Sequence, residues 1–234
     1  LMEIHGLVKT TLLDYPQHVA ATVFTGGCNF RCPFCHNKDL VLHPNSVPLI
    51  HEDELFSFLK KRHGVLDGVC ITGGEPTLQP DLISFIRKIK ELGFLVKLDT
   101  NGYCPEVLHQ LLEEHLLDYV AMDIKNSPEK YTLTAGLYHL DLDKINRSIA
   151  LLLACSIPYE FRTTLVSELH TTEDMIKIGQ WIKGASAYFL QAYKESDSVI
   201  SKGFTPCTYE QMKSFIGLLQ PDILHIGIRG VDEC

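Results

Sequence analysis

The chain has 234 residues, 45% of them hydrophobic, and a formal net charge of -8. This length and hydrophobic content suit one α/β domain with a single core, and we expect one domain over residues 1–234. The acidic balance and the absence of clustered Lys and Arg argue against a nucleic-acid binder. With no signal-peptide pattern and no apolar run of about 18 residues, the sequence predicts a cytoplasmic protein without membrane contact.

Short β-rich runs alternate with longer segments of helical periodicity along the chain. The runs predict strands buried on both faces, at 19–25, 68–72, 95–100, 119–124, 159–166, 187–192 and 223–228. The segments between them predict helices at 51–63, 80–92, 105–115, 142–155, 172–183 and 209–219. Thr172, before Glu173 and Asp174, and Asp141, before an apolar run, are predicted N-caps. This βα order predicts either a partial (β/α) barrel or an open doubly wound sheet.

Polar and glycine-rich residues follow one predicted strand after another. In chain order they are Gly26, Gly27 and Cys28; Gly73, Gly74 and Glu75; Asp99, Thr100, Asn101 and Gly102; Asp123, Ile124 and Lys125; and Gln191. Both candidate folds place their chemistry at the C-terminal ends of parallel strands. We therefore expect the functional site at this edge of the sheet.

Cys28, Cys32 and Cys35 lie in one short segment with the spacing C-x3-C-x2-C, called the cysteine loop (28–35) below. A loop of this length can wrap three sulfurs around a single cluster, and thiolates suit iron-sulfur clusters or zinc. In a reducing compartment such clustering indicates metal or redox chemistry and not disulfides. Three ligands would leave one iron of a four-iron cluster open to a substrate.

Three alternatives use the same cysteines. Residues 32–36 match the C-x-x-C-H pattern of haem attachment, although a c-type haem implies export. His36 could complete a structural zinc site, although such sites usually take their ligands as two separated pairs. A plain electron-transfer cluster needs a fourth cysteine, and the next one, Cys70, lies in a predicted buried strand.

The cysteine loop, together with the Gly73-Gly74-Glu75-Pro76 turn, resembles the radical S-adenosylmethionine (SAM) superfamily. This resemblance implies a partial (β/α) barrel of about six to seven parallel strands. It also implies a [4Fe-4S] cluster on the catalytic and metal-binding residues Cys28, Cys32 and Cys35, with SAM chelated to the open iron. An electron from the cluster would then cleave SAM into methionine and the 5'-deoxyadenosyl radical.

The resemblance further implies which residues surround SAM. Phe34 would lie by the adenine, His36 beside the cluster, and the Gly73-Gly74-Glu75 turn by the methionine amino group, with Glu75 facing a cation. The remaining implied contacts lie on later strands, and they are Thr100, Asn101, Asp123, Lys125 as partner of the SAM carboxylate, and Arg162.

Other interpretations of these residues stay open. A strand-ending turn would also contain Gly-Gly-x-Pro, and a buried ion-pair network would also explain Asp99, Asp123 and Arg162. The resemblance also implies a monovalent cation, whose ligands would be Asp99, Thr100 and Asp123.

Residues 6–16 and the cysteine loop resemble the activating proteins of anaerobic ribonucleoside-triphosphate reductase, a glycyl radical enzyme, and the likeness extends to about residue 162. No further cysteine lies between Cys35 and Cys70, whereas many related activases carry a cysteine-rich insertion there. The resemblance implies a glycyl radical enzyme as protein substrate and a flavodoxin or ferredoxin as electron donor. Segments 126–140 and 194–208 are expected to border the groove for the partner.

Three other functions remain compatible with the sequence. They are activation of another glycyl radical enzyme, a small-molecule radical SAM reaction such as that of a 7-carboxy-7-deazaguanine synthase, and a non-catalytic iron-sulfur sensor.

Overall fold

A sheet with the strand order β1-β2-β3-β4-β5-β6-β7-β8 forms the framework of the computed structural model, which describes residues 2–231. The strands are β1 Ile4–Thr11, β2 Ala20–Thr25, β3 Gly68–Gly73, β4 Leu95–Thr100, β5 Tyr119–Asp123, β6 Tyr159–Leu165, β7 Ala187–Ala192 and β8 His225–Arg229. The helices are α1 Lys38–Leu42, α2 Glu52–Lys61, α3 Leu82–Glu91, α4 Pro105–Glu113, α5 Tyr131–Thr134, α6 Leu142–Ala154, α7 Thr172–Trp181 and α8 Tyr209–Leu219. Short 3₁₀ turns lie at Pro44–Ser46, Pro76–Leu78 and Pro128–Lys130.

All the strands and helices predicted from the sequence are present, with ends that differ by at most two residues. The structure adds β1, which pairs antiparallel with β2. Only the first two residues of β1 are buried, and the rest are half-buried or exposed. The sequence therefore lacks the continuous apolar run that marks the other strands. The short helices α1 and α5 were also not predicted, because helices this short have little periodicity.

The chain forms two compact units. The first comprises Leu1–Asn29 and Asn37–Ala121, and the second comprises Phe30–His36 and Met122–Cys234. The expectation of one domain over 1–234 stays a prediction. Cys234, for which the sequence suggests no role, lies outside the described residues. Among the helices of residues 2–231, none is both long and apolar enough to cross a bilayer.

In the first unit, β2, β3 and β4 run parallel in the register Val23↔Ile71↔Leu98. These three side chains are fully buried. Helix α3 buries one stripe with helical spacing, made of Leu82, Phe85, Ile86 and Ile89. This packing fixes the C-terminal ends of β2, β3 and β4 beside one another, where the polar turns begin.

In the second unit, β6, β7 and β8 are parallel, and Phe161 pairs with Tyr188, which pairs with Ile226. Helix α6 begins at the predicted cap Asp141, whose side chain accepts a hydrogen bond from the backbone N–H of Asp143 at 3.2 Å. The predicted cap Thr172 is wrong by one residue. Thr171 is the N-cap of α7, because its extended backbone precedes the first helical turn and it forms a reciprocal capping box with Asp174.

Candidate functional site

The turn after β3 lies directly against the backbone that leads into the cysteine loop. The N–H of Gly74 donates to the Thr25 carbonyl at 2.8 Å, and the N–H of Glu75 donates to the Gly27 carbonyl at 2.8 Å. Gly73 has a φ of +114°, and a Cβ on it would overlap the Thr25 backbone. A Cβ on Gly74 would overlap the Gly27 carbonyl oxygen. Both glycines are therefore required by close backbone contact, whatever they bind.

Glu75 is 1% exposed, and its carboxylate is fully used by protein donors. It accepts from the backbone and hydroxyl of Thr77, from the Thr100 hydroxyl at 2.7 Å, and from the Asn101 N–H at 2.7 Å. Burial raises the pKa of Glu75, and these hydrogen bonds oppose that shift. The carboxylate thus holds the turn after β4, and its facing a cation stays a prediction.

Asn101 connects this turn to the first cysteine. Its Nδ2 donates to Oδ1 of Asn29 at 2.8 Å and lies 3.9 Å from the sulfur of Cys28. The neighbouring Nδ2 of Asn29 is buried, and it has no hydrogen-bond partner among the described residues. A buried donor without an acceptor is costly. The donor beside Cys28 therefore fits a site in which a bound group supplies the acceptor.

The second and third cysteines belong to the second unit. The backbone N–H of Cys35 donates to the Cys32 carbonyl at 3.0 Å, which forms a tight turn. Cys32 is 6% exposed, and burial raises its pKa to about 11, although the charge of Lys125 opposes this. The thiol of Cys32 is thus protonated at neutral pH, and metal binding would have to displace the proton.

Both segments predicted to border the groove bind the backbone of the cysteine loop. From segment 126–140, the carbonyl of Ala135 accepts from the Arg31 N–H at 2.8 Å. From segment 194–208, Ser201 donates to the Pro33 carbonyl at 2.7 Å and Ile200 donates to the Cys35 carbonyl at 3.1 Å. The two segments therefore shape the part of the loop that carries the last two cysteines.

Aromatic rings surround Phe34, which is 4% exposed. The rings of His170, Tyr193 and Phe204 lie edge-on to it, with centroids 6.4, 6.5 and 6.5 Å away. His36 lies 5.7 Å from the Tyr193 ring, and burial lowers the pKa of His36. The buried hydroxyl of Tyr193 has no hydrogen-bond partner within residues 2–231. The rings around Phe34 thus combine flat apolar surfaces with one polar group, the Tyr193 hydroxyl, that has no partner among the described residues.

Asp123, Lys125 and Arg162 form an ion cluster between the end of β5 and the middle of β6. Lys125 Nζ lies 3.0 Å from Oδ2 of Asp123, and Arg162 Nε donates to Oδ1 at 3.0 Å. Burial opposes the charge of Asp123, but Arg162 and Lys125 outweigh it and lower its pKa to about 2. Burial likewise opposes the charge of Lys125, but Asp123 and Cys32 raise its pKa above the usual range.

The two interpretations of this ion cluster are compatible. The side chains pair with one another, as a structural network would, yet Arg162 stays 13% and Lys125 18% exposed. Both cationic side chains are therefore partly accessible to an incoming anion.

The candidate cation ligands all have protein partners. Asp99 pairs with Lys97, a side chain that is 2% exposed in β4. The Thr100 hydroxyl donates to Glu75, and Asp123 holds Lys125 and Arg162.

Within residues 2–231 no three His, Cys, Asp or Glu side chains are grouped as a single metal ion would need. A four-iron cluster differs because each of its cysteines binds a different iron. None of the described cysteines forms a disulfide. Cys70, Cys155 and Cys207 lie apart in β3, after α6 and before α8, where Cys70 and Cys207 are buried.

The structure groups the sequence-predicted residues by unit. The first unit contains Cys28, Gly73, Gly74, Glu75, Thr100 and Asn101. Hydrogen bonds link Glu75 to Thr100 and Asn101, and Asn101 Nδ2 lies 3.9 Å from the Cys28 sulfur. The second unit contains Cys32, Phe34, Cys35, His36, Asp123, Lys125 and Arg162.

Sequence reasoning missed Asn29, His170 and Tyr193. Tyr193 directly follows β7, and His170 lies in the turn region after β6. Both occupy the strand ends where the other site residues were found. An inspection of the residues that follow every predicted strand would have identified His170 and Tyr193 as candidates.

The sequence profile of the radical SAM superfamily matches residues 22–178. A Methanocaldococcus jannaschii protein named as a glycyl-radical enzyme activating enzyme is 35% identical over 83% of this chain and 81% of its own length. A pyruvate formate-lyase-activating enzyme of Streptococcus mutans is 30% identical over 77% of this chain and 73% of its own length.

The fold is shared with SuiB of Streptococcus suis, at a TM-score of 0.67 and 13% identity over 88% of this chain. The SAM-bound form of SuiB superposes with a TM-score of 0.65. This chain spans 47% of the SuiB chain, so the likeness concerns the fold alone. The partial (β/α) barrel type expected from the sequence is confirmed, with β1 as an added antiparallel strand.

A profile match over most of the chain and relatives at 30–35% identity show the family. The chain therefore belongs to the radical SAM superfamily, whose members use a [4Fe-4S] cluster and SAM, and is an enzyme of the glycyl-radical activating group.

Proposed function

We propose that this enzyme cleaves SAM reductively and generates a glycyl radical on anaerobic ribonucleoside-triphosphate reductase. The observation that carries the proposal is the proximity of Cys32 to the ion cluster of Asp123, Lys125 and Arg162. The charges of Lys125 and Asp123 both act on the Cys32 thiol. The likeness to named activating enzymes supports the class of reaction.

Cys28, Cys32 and Cys35 would hold the cluster, and the open iron would receive SAM. Bound there, the two groups would supply reductive cleavage of SAM and removal of a hydrogen atom from a glycine. The chain's own residues then have to position the groups and exclude water. The unused Nδ2 of Asn29 supports this assignment, since it lies next to Cys28 and lacks an acceptor.

For SAM, the second unit offers chemistry suited to both ends of the molecule. Lys125 and Arg162 provide positive charge for the carboxylate. Phe34 and Tyr193 provide aromatic surface for the adenine, and the Tyr193 hydroxyl is an unused polar group. In the first unit, Gly73 and Gly74 keep the strand-end turn free of side chains.

A monovalent cation on Asp99, Thr100 and Asp123 remains part of the hypothesis. Binding it would require Asp99 and Thr100 to share or leave Lys97 and Glu75, their present partners. The proposal therefore assigns the cation no step.

The proposed substrate is a protein segment that contains the target glycine. Segments 126–140 and 194–208 hold the cysteine loop and are proposed to receive that segment. Segment 126–140 also exposes two large apolar side chains, Leu133 at 64% and Tyr138 at 101%. Such side chains suit contact with a partner protein. A flavodoxin or ferredoxin is proposed as the electron donor.

The test mixes the reconstituted enzyme, SAM and dithionite anaerobically with the reductase, and in parallel with pyruvate formate-lyase. We expect a doublet EPR signal on the reductase and cleavage of that chain at the radical glycine on exposure to oxygen. A doublet on pyruvate formate-lyase alone would reassign the partner.

Two controls separate the other functions. SAM cleavage without a glycyl signal on either protein would favour a small-molecule reaction, and no cleavage under any reductant would favour an iron-sulfur sensor. Release of 5'-deoxyadenosine and methionine is the measurement for both controls.

A further inference from the structure

His170 is 3% exposed, and the proposed function has so far given it no part. Its Nε2 lies 2.9 Å from the carbonyl oxygen of Lys125, and its Nδ1 lies 3.2 Å from both the backbone nitrogen and the carbonyl oxygen of Val166. A carbonyl oxygen can only accept, so the shorter contact, to Lys125, assigns the proton to Nε2, and Nδ1 then accepts from the Val166 N–H. One neutral tautomer therefore satisfies both ring nitrogens.

The same imidazole touches the cysteine loop. Its ring lies 6.4 Å from that of Phe34, at an interplanar angle of 70°, which is an edge-to-face contact. One buried side chain thus contacts both the backbone of Lys125 and the ring of Phe34. These are the residues proposed to receive the carboxylate and the adenine of SAM.

The turn that carries His170 is itself fixed to the strand end after β5. Asn126 donates from Nδ2 to the Leu169 carbonyl at 2.9 Å and to the Thr134 hydroxyl at 2.8 Å. The N–H of His170 donates to the Val166 carbonyl at 3.1 Å. The ring therefore has little freedom to leave Lys125.

We infer that His170 is a positioning residue that sets the Lys125 backbone and the Phe34 ring relative to each other for SAM binding. The inference rests on the proposed function, since it takes SAM as the ligand. It acts through Lys125 and Phe34 and requires no contact between His170 and SAM.

Two substitutions with side chains of different length test the two polar contacts of the ring separately. In His170→Gln the amide nitrogen can reach as far as Nε2, so it can keep the bond to Lys125. In His170→Asn the amide reaches only about as far as Nδ1, so it can contact Val166 but not Lys125. His170→Phe keeps the ring against Phe34 and removes both polar contacts. His109→Phe, on the exposed side of α4, is the control.

The measurement is the SAM affinity of the reconstituted proteins, read from titration calorimetry and from the SAM-induced change in the EPR signal of the reduced cluster. We expect His170→Phe and His170→Asn to bind SAM about ten-fold more weakly, as for one lost hydrogen bond. His170→Gln and the control should bind like the wild type, with equal iron content in all variants. Wild-type affinity in His170→Asn, or equal loss in Gln and Asn, would overturn the inference.

Three further outcomes are distinguished. If His170→Phe does not fold, the SAM affinities of His170→Gln and His170→Asn are compared, and their difference tests the inference. If the wild type binds and cleaves SAM but gives no glycyl radical, the partner is wrong and the inference on His170 stands. If the wild type does not bind SAM at all, the proposed function and this inference fail together. Independently of SAM, the ¹⁵N shifts of the imidazole should show the neutral Nε2–H tautomer. An Nδ1–H tautomer would donate to the Val166 carbonyl, would lack the bond to Lys125 and would overturn the inference.

Discussion

Arg162 donates from Nε to one oxygen of Asp123 at 3.0 Å, while Lys125 lies 3.0 Å from the other oxygen. One carboxylate thus holds two cationic side chains, both of which are partly exposed. A carboxylate brought by a ligand could contact their exposed parts without displacing Asp123.

The first prediction concerns acid stability. The folded pKa of Asp123 is lowered from 3.8 to about 2. Its contribution is therefore present above the unfolded pKa and is lost as the pH falls through about 2. We expect Asp123→Asn to reduce the free energy of unfolding of the cluster-free protein by about 2 kcal/mol at neutral pH.

Denaturant unfolding at neutral pH and at about pH 2 checks this prediction. The difference between wild type and Asp123→Asn should be much smaller at the lower pH, because about half of the folded wild-type molecules and nearly all of the unfolded ones then carry a protonated Asp123. A difference of the same size at both pH values would contradict the ion-pair explanation.

Lys125→Ala and Arg162→Ala should weaken SAM binding by about ten- to a hundred-fold, as for loss of a charge-assisted contact. The iron content should not change, since neither residue is a proposed cluster ligand. Lys183→Ala, which removes an exposed cation paired with Asp222, is the matched control. If both variants bind SAM normally, the ion cluster is structural.

Replacement of Cys28, Cys32 or Cys35 by Ala should abolish the cluster, whereas Cys70→Ala and Cys155→Ala should keep about four irons per chain. Cys70 is buried in β3, and Cys155 bonds the Ile157 carbonyl, so neither is proposed as a ligand. Iron and sulfide analysis after anaerobic reconstitution gives the answer. About four irons in any variant of the first three would refute the ligand assignment.

Glu75→Gln should destabilise the protein by about 1–3 kcal/mol. The new amide NH₂ group would face an N–H or O–H group that donates to the carboxylate in the wild type, and two donors cannot bond each other. Glu91→Gln changes an exposed carboxylate at the end of α3 and should have almost no effect. Urea unfolding of the two variants is the measurement. Equal stability of both would mean that the hydrogen bonds to Thr100 and Asn101 contribute little.

The cap of α7 gives a comparison of neighbouring residues. Thr171→Ala removes the hydroxyl that accepts from the Asp174 N–H at 3.3 Å and should cost about 1 kcal/mol. Thr172→Ala lies in the first helical turn and should be nearly neutral or slightly stabilising. Thermal or urea unfolding distinguishes the pair, and a larger loss for Thr172→Ala would restore the cap predicted from sequence.

The strands could be predicted from sequence because their buried apolar runs are local signals. The motifs at the ends of the strands could be recognised for the same reason, since the spacing of their residues can be read directly from the sequence. The partners of Glu75 could not, because Thr100 and Asn101 are distant in sequence and meet it only through the parallel pairing of β3 with β4. His170 was missed because its inferred role depends on a hydrogen bond to a backbone carbonyl, and a backbone contact leaves no pattern in the sequence.

The backbone N–H groups of Ile200 and Ser201 donate to the carbonyls of Cys35 and Pro33. Ordering the backbone of one residue costs about 1–2 kcal/mol of conformational entropy. Hydrogen bonds within the chain offset part of this cost for the cysteine loop, so less of it is subtracted from the affinity for a cofactor. Breaking these bonds, for example with Ser201→Pro, should therefore slow cluster incorporation even though every cysteine is present.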